Sequence, residues 1–135
     1  MVQGQCLCGS VRFSGTLTDR GIGVCHCGQC RRWGGGAPFM AVRFADGVTV
    51  AEGNTLTWFN SSDAGERGFC NRCGTSLFWR SPSEDRDWAV NVSSLPEDHG
   101  QQIFEHIWVD DQPGWYTFAD DKPRRTAAQA LGLAE

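Results

Sequence analysis

A chain of 135 residues has the length of one domain and can bury a single core without help. With 40% hydrophobic and 21% charged residues it reads as a globular protein, and a net charge of −4 excludes a general nucleic-acid binder, which presents a basic face. No apolar run approaches the roughly 18 residues of a membrane span. Residues Met1 to Gln5 also lack the charged and apolar regions of a signal peptide, so the expectation is a cytoplasmic protein with neither nucleic acid nor membrane as partner.

Seventeen glycines punctuate short apolar runs, the pattern of many turns joining short strands. Residues 10–15 alternate Val11 and Phe13 with Arg12 and Ser14, as a half-buried strand does. Further strands are expected over 39–44, 48–51, 56–59, 76–79, 88–92 and 104–109, all rich in β-branched and aromatic residues. Asp46-Gly47 and Glu52-Gly53-Asn54 are turn signals between them, and the polar run 61–66 reads as a loop. The one helix expected beyond a turn or two covers 126–134, Ala- and Leu-rich after Pro123, with a frayed tail as the alternative. The fold class is therefore mainly β, in a single domain over 1–135 with its core at about 4–123 and a tail over 124–135.

Seven cysteines fall into three clusters along this chain: Cys6-x-Cys8, Cys25-His26-Cys27-x-x-Cys30 and Cys70-x-x-Cys73. In a reducing compartment such clusters bind metal more often than they form disulfides, and an odd count fits a disulfide framework poorly. Cys70-x-x-Cys73-Gly74 is a tight turn whose sulfurs face one point, and Gly74 tolerates the curl around a metal. Cys6 and Cys8, at i and i+2 of a strand, share a face. Joined on one zinc, these four thiolates close the coordination sphere, so the site should be structural. Cys25, Cys27 and Cys30 supply only three sulfurs. Three ligands with an open position are the pattern of a catalytic zinc. A thiolate-rich ion is a weak Lewis acid but suits an exogenous thiol, whose pKa falls on metal. Two other readings stay open for this cluster: a redox dithiol at Cys27-x-x-Cys30, and a second structural zinc completed by His99 or His106.

Arg31 and Arg32 follow the open cluster and are candidate anchors for the carboxylates of a thiol substrate, with a solvated surface pair as the alternative. Trp33 is a candidate pocket wall or a core residue. His26 is a candidate proton carrier near neutral pH. Asp110, Asp111, Asp120 and Asp121 read as turn and surface charges.

Three stretches together resemble the glutathione-dependent formaldehyde-activating enzyme family, also called the centromere protein V/formaldehyde-activating domain. They are Gly4-x-Cys6-x-Cys8-Gly9-x-Val11, Cys25-His26-Cys27-x-x-Cys30-Arg31-Arg32-Trp33-x-Gly35 and Phe69-Cys70-x-x-Cys73-Gly74-Thr75-Ser76-Leu77. His106-Ile107-Trp108-Val109, Trp115 and Pro123 extend the likeness, which runs from about Gly4 to Pro123. The resemblance implies an Mss4-like fold of small zinc-stapled β-sheets with short loops. It implies a structural zinc on Cys6, Cys8, Cys70 and Cys73 and a functional zinc on Cys25, Cys27 and Cys30. It implies a carbon–sulfur lyase that condenses formaldehyde, or a similar small aldehyde, with glutathione or a similar thiol. A non-catalytic carrier of thiol or adduct, and a zinc-stapled interaction domain, are the alternatives. Where the family often reads Lys-x-Pro-Trp, this chain has Asp111-Gln112-Pro113-Gly114-Trp115, with a basic residue lost and one residue inserted.

Overall fold

The structure, a computed structural model, describes residues 1–82 and 87–135. In chain order its strands are β1 (Val2–Gln5), β2 (Arg12–Leu17), β3 (Ile22–Cys25), β4 (Phe39–Val50), β5 (Leu56–Ser62), β6 (Gly65–Cys70), β7 (Ser76–Arg80), β8 (Trp88–Asn91) and β9 (Ile103–Ile107). Two short helices, α1 (Gly28–Trp33) and α2 (Ala127–Ala130), and 3₁₀ turns at Val92–Ser94 and Val109–Asp111 complete the described elements. The protein is mainly β, as its sequence pattern implies. The chain divides into two compact units, one of Met1–Arg20 and Ala41–Gln101, the other of Gly21–Met40 and Gln102–Glu135.

The first unit is an antiparallel sheet in the order β1-β2-β4-β8-β7-β6-β5. Apolar side chains of this unit form its core. Val11, Phe13, Val42, Phe44, Leu77, Phe78 and Val90 are all buried, and Phe13 meets Phe78 edge-on at 5.0 Å and Phe44 at 6.1 Å. Such offset ring pairs add to the burial of their area.

Asp46-Gly47 does not turn the chain. Residues 39–44 and 48–51, expected as two strands, lie mostly in the single strand β4, which pairs with β2 on both sides of that dipeptide. Gly15 pairs with Val48 and Thr16 with Ala45, so Asp46 and Gly47 are extra residues in β4, a bulge. Both are left-handed, with φ of 59° and 79°. That conformation, which makes Asp-Gly a turn signal, here serves the bulge. The expected loop 61–66 is a hairpin instead: β5 runs to Ser62, β6 starts at Gly65, and the two residues pair. Strands β1, β3 and β6 lie outside the expected set. β1 is polar and β6 carries two glycines, one of which, Gly65, is needed because the Trp79 indole covers it.

In the second unit β3 lies parallel to β9, with Val24 opposite His106 and Cys25 opposite Ile107. The tail is docked. The His106 N–H donates to Pro123 O at 2.9 Å, Arg125 N–H to His106 O at 2.9 Å, and Val109 N–H to Arg125 O at 3.1 Å. The helix expected over 126–134 is the single turn α2, entered through a capping box between Thr126 and Gln129. No helix among the described residues is long and apolar enough to cross a membrane.

Candidate metal centres and the comparison with known proteins

Cys6, Cys8, Cys70 and Cys73 converge within the first unit, their sulfurs all within 4.8 Å of one another. Cys6 and Cys8 sit on a turn after β1 rather than on a strand: Gly9 N–H donates to Cys6 O, and Gly9 is left-handed. Cys70 ends β6, and the chain curls back so that Gly74 N–H reaches Cys70 O at 2.8 Å with Gly74 at φ 79°. The Cys6 and Cys8 sulfurs are 3.7 Å apart, and those of Cys8 and Cys70 are 3.8 Å apart. Four sulfurs at about 2.3 Å around a tetrahedral ion stand about 3.8 Å from each other, so this donor set fits zinc.

The surroundings of Cys70 and Cys73 favour thiolate. The Thr75 hydroxyl lies 3.1 Å from the Cys73 sulfur and, with nearby backbone donors, brings that thiol down to about 5 against the pull of burial. Burial pushes Cys70 up, but the Thr55 hydroxyl at 3.1 Å and the N–H groups of Cys73 and Arg72 outweigh it, leaving the thiol below its ordinary value. Burial pushes Cys6 up despite the Val11 N–H that donates to it.

In the second unit Cys25 ends β3, Cys27 is the N-cap of α1 and Cys30 lies within it. The Cys30 N–H donates to the Cys27 sulfur at 3.3 Å, so one thiol is both helix cap and candidate ligand. All three sulfurs lie within 4.8 Å of one another, and no fourth His, Cys, Asp or Glu among the described residues joins them. Their closeness, then burial, pushes the Cys25 thiol far up; crowded thiols of this kind are relieved by a cation. Here too the donor set fits a metal ion, with a position left for an outside ligand.

The histidines do not close this centre. His26, wholly buried, uses Nδ1 on the Tyr116 hydroxyl at 2.7 Å and Nε2 on His106 Nδ1 at 2.8 Å. His106 Nε2 is taken by Asp120, at 2.9 and 3.1 Å. His99 belongs to no such cluster among the described residues. Burial, then the neighbouring His106, lowers His26 to about 4, well below the neutral range in which the sequence made it a candidate carrier. Burial pushes the Tyr116 phenol up, against the opposing pull of the Arg31 guanidinium.

Arg31 is committed to its own chain. Its Nε donates to His26 O at 3.0 Å and its Nη2 to Asp111 O at 3.1 Å. The Asp111 carboxylate accepts the Gly28 N–H at 2.6 Å, and so ties the start of α1 to the 3₁₀ turn after β9. Arg32 is exposed, Trp33 is half-buried against Phe39 at 5.2 Å, and Trp115 is exposed with the Arg31 guanidinium 6.0 Å from its ring. Sequence reading treated Asp111 and Asp120 as surface charges and passed over Tyr116 and Phe118. No spacing marks them, because their partners lie 80 or more residues away or across β9.

A family description, the glutathione-dependent formaldehyde-activating enzyme, matches residues 1–111, which includes all seven cysteines. The chain belongs to this family. Among curated relatives, an uncharacterized lyase of Schizosaccharomyces pombe is 28% identical over 129 residues, 96% of this chain and 93% of that protein. A Halomonas elongata protein provisionally named a glutathione-dependent formaldehyde-activating enzyme is 26% identical over 126 residues, 85% of this chain and 79% of that one. A crystal structure of a Rhodobacter sphaeroides protein superposes with a TM-score of 0.60 at 26% identity, covering 75% of this chain and 97% of the other. Within this formaldehyde-activating family member, the two cysteine groups that could hold metal ions are the sites on which its chemistry can be sought.

Proposed function

We propose that the protein is a zinc-dependent carbon–sulfur lyase that joins a small aldehyde to glutathione or a similar thiol. The observation that carries this reading is the three-sulfur cluster Cys25, Cys27 and Cys30, without a fourth protein ligand among the described residues, in a chain of the formaldehyde-activating family. Zinc held there would supply a charge that favours a thiolate over a thiol. Cys6, Cys8, Cys70 and Cys73 would hold a second zinc whose role is to staple the first unit.

The chain's own residues do the rest. Asp111 and Arg31 hold the start of α1, and with it Cys27 and Cys30, in place. Arg32, exposed on α1, is the arginine available to a carboxylate of the thiol; exposed Trp115 offers an apolar surface near Arg31. Holding thiol and aldehyde together turns a bimolecular addition into a local one.

Exchange NMR of thiol, aldehyde and adduct at equilibrium tests the reading, with the zinc-loaded protein and with Cys25→Ser. Faster exchange than the uncatalysed control, lost in Cys25→Ser, is expected. Exchange at the control rate with glutathione and other small thiols alike would reduce the protein to a carrier of thiol or adduct, or to an interaction domain.

A further inference from the structure

The sheet of the first unit ends on β5, and among the described residues no strand pairs with its outer edge. The pairing with β6 fixes which of its backbone groups face outward. Asn71 N–H donates to Thr55 O at 3.0 Å. The register continues with Leu56 opposite Cys70, Thr57 opposite Phe69, Trp58 opposite Gly68, Phe59 opposite Arg67 and Asn60 opposite Glu66. In an antiparallel ladder, hydrogen-bonded pairs alternate with non-bonded ones. Thr55, Thr57 and Phe59 therefore bond to β6, while Leu56, Trp58 and Asn60 turn their N–H and C=O groups away from it. Two contacts agree with this. Cys70, opposite Leu56, sends its N–H the other way, to Thr75 O at 3.0 Å. The Leu56 N–H donates to the Asn54 side-chain oxygen at 3.0 Å instead of to a strand. The other outward groups of Leu56, Trp58 and Asn60 have no partner among the described residues.

The edge is held firmly and is unguarded. The Trp58 ring lies against Trp88 at 5.2 Å and Phe78 at 6.1 Å, with the Arg80 guanidinium 3.6 Å over it. Exposed edge strands are ordinarily protected by charge, proline or shortness. Residues 54–62 carry neither charge nor proline, and β5 is 7 residues long, with its bulge only after Asn60. The opposite edge, β1, has 4 residues, and Ser94 O sits so close over Gly4 that a Cβ there would lie 2.8 Å from it. On β5, Phe59 is 62% exposed.

We propose that β5 pairs with β5 of a second copy of this chain, antiparallel about a two-fold axis at Trp58, so that the sheet continues through both protomers. The order of donors and acceptors suits a strand pairing with itself. About that axis each Trp58 N–H donates to the partner's Trp58 O, and each Asn60 N–H donates to the partner's Leu56 O. Asn60 O, opposite the Leu56 N–H that Asn54 already occupies, stays with solvent. Thr57 stands opposite the partner's Phe59 as a non-bonded pair, in which side chains approach most closely, so each exposed ring is covered. A two-fold axis sets every residue against a fixed mate, and like charges placed opposite one another would work against it. The uncharged strand meets no such opposition, although the chain as a whole carries −4.

The test uses the full zinc-loaded chain. Sedimentation over a concentration series is expected to show a reversible monomer–dimer equilibrium. A chain that stays monomeric overturns the proposal, and so does growth beyond the dimer. Were the edge to serve another protein's strand, the purified chain would stay monomeric. Amide hydrogen exchange locates the contact. Trp58 and Asn60 are expected to exchange about tenfold or more slowly in the dimer, with Thr57 and Phe59, bonded to β6 in both states, unchanged. A dimer in which the Trp58 and Asn60 amides exchange as in the monomer is formed elsewhere and overturns the proposal. Phe59→Lys removes the covered ring and brings like charges onto one face, so the dimer dissociation constant is expected to rise about tenfold or more. Wild-type dissociation in folded Phe59→Lys overturns the proposal. Should that variant fail to fold, the exchange pattern of the wild-type chain decides.

Discussion

Gly47 shows how much one residue can carry. It is left-handed, and a Cβ there would lie 2.7 Å from the Trp88 indole, so both backbone and neighbour resist a side chain. Gly47→Ala is expected to cost about 2–4 kcal/mol, summing left-handed strain and overpacking. Urea denaturation would show it as a lower midpoint at unchanged slope. His26 has a different signature. Burial, then His106, holds its imidazole at about 4, whereas a free imidazole titrates near 6.5. A depressed pKa of this kind contributes stability in full above pH 6.5, and that contribution is lost as pH falls toward 4. The ring should therefore stay neutral between pH 7.5 and 5.5, and ¹⁵N shifts that move within that range would contradict it. His26 was singled out in the sequence, but its partners were not, because Tyr116 and His106 reach it from 90 and 80 residues away.

At the scale of elements, α1 is positioned from outside itself. It is six residues long, too short to persist alone, and is held by a thiol cap and by Asp111. Asp111→Ala frees the Gly28 N–H and removes the carboxylate 3.8 Å from the Arg31 guanidinium, which keeps its bond to the residue 111 carbonyl. Affinity for a metal at Cys25, Cys27 and Cys30 is expected to fall about 10–100-fold, the usual range for a group supporting ligands, while the other centre keeps its affinity. A competitive chelator titration with a zinc dye measures both. Strands were legible where apolar alternation was strong, as around Val11 and Phe13. They were illegible where glycine or polar residues fill the strand, as in β1 and β6, whose pairing is decided by neighbours across the sheet. Asp46-Gly47 misled for a physical reason: a left-handed pair serves a turn and a bulge equally, and only the pairing of β2 on both sides selects the bulge.

For the molecule as a whole, each cysteine group lies inside one unit, but they join the chain differently. Cys6 and Cys8 meet Cys70 and Cys73 across more than 60 residues, whereas Cys25 to Cys30 span one short segment. A zinc across the long span contributes folding free energy directly, on the order of 10 kcal/mol in small zinc domains. Cys70→Ser is therefore expected to collapse the amide spectrum of Met1–Arg20 and Ala41–Gln101. Cys27→Ser should leave that spectrum intact and lose one metal. Equal damage from both variants would mean two structural centres. The seven cysteines and their three clusters were determined by the sequence alone, because two- and three-residue spacings restrict sulfurs to a common point whatever surrounds them. The mainly β character was legible as well, since alternation is local. What only the tertiary structure decided is which distant groups meet: that β3 runs parallel to β9, that Asp111 caps the start of α1, and that Tyr116, His26, His106 and Asp120 fall into one line. Hydrogen bonds between residues 14 to 90 positions apart leave no periodic trace, because their partners are chosen by packing rather than by spacing along the chain.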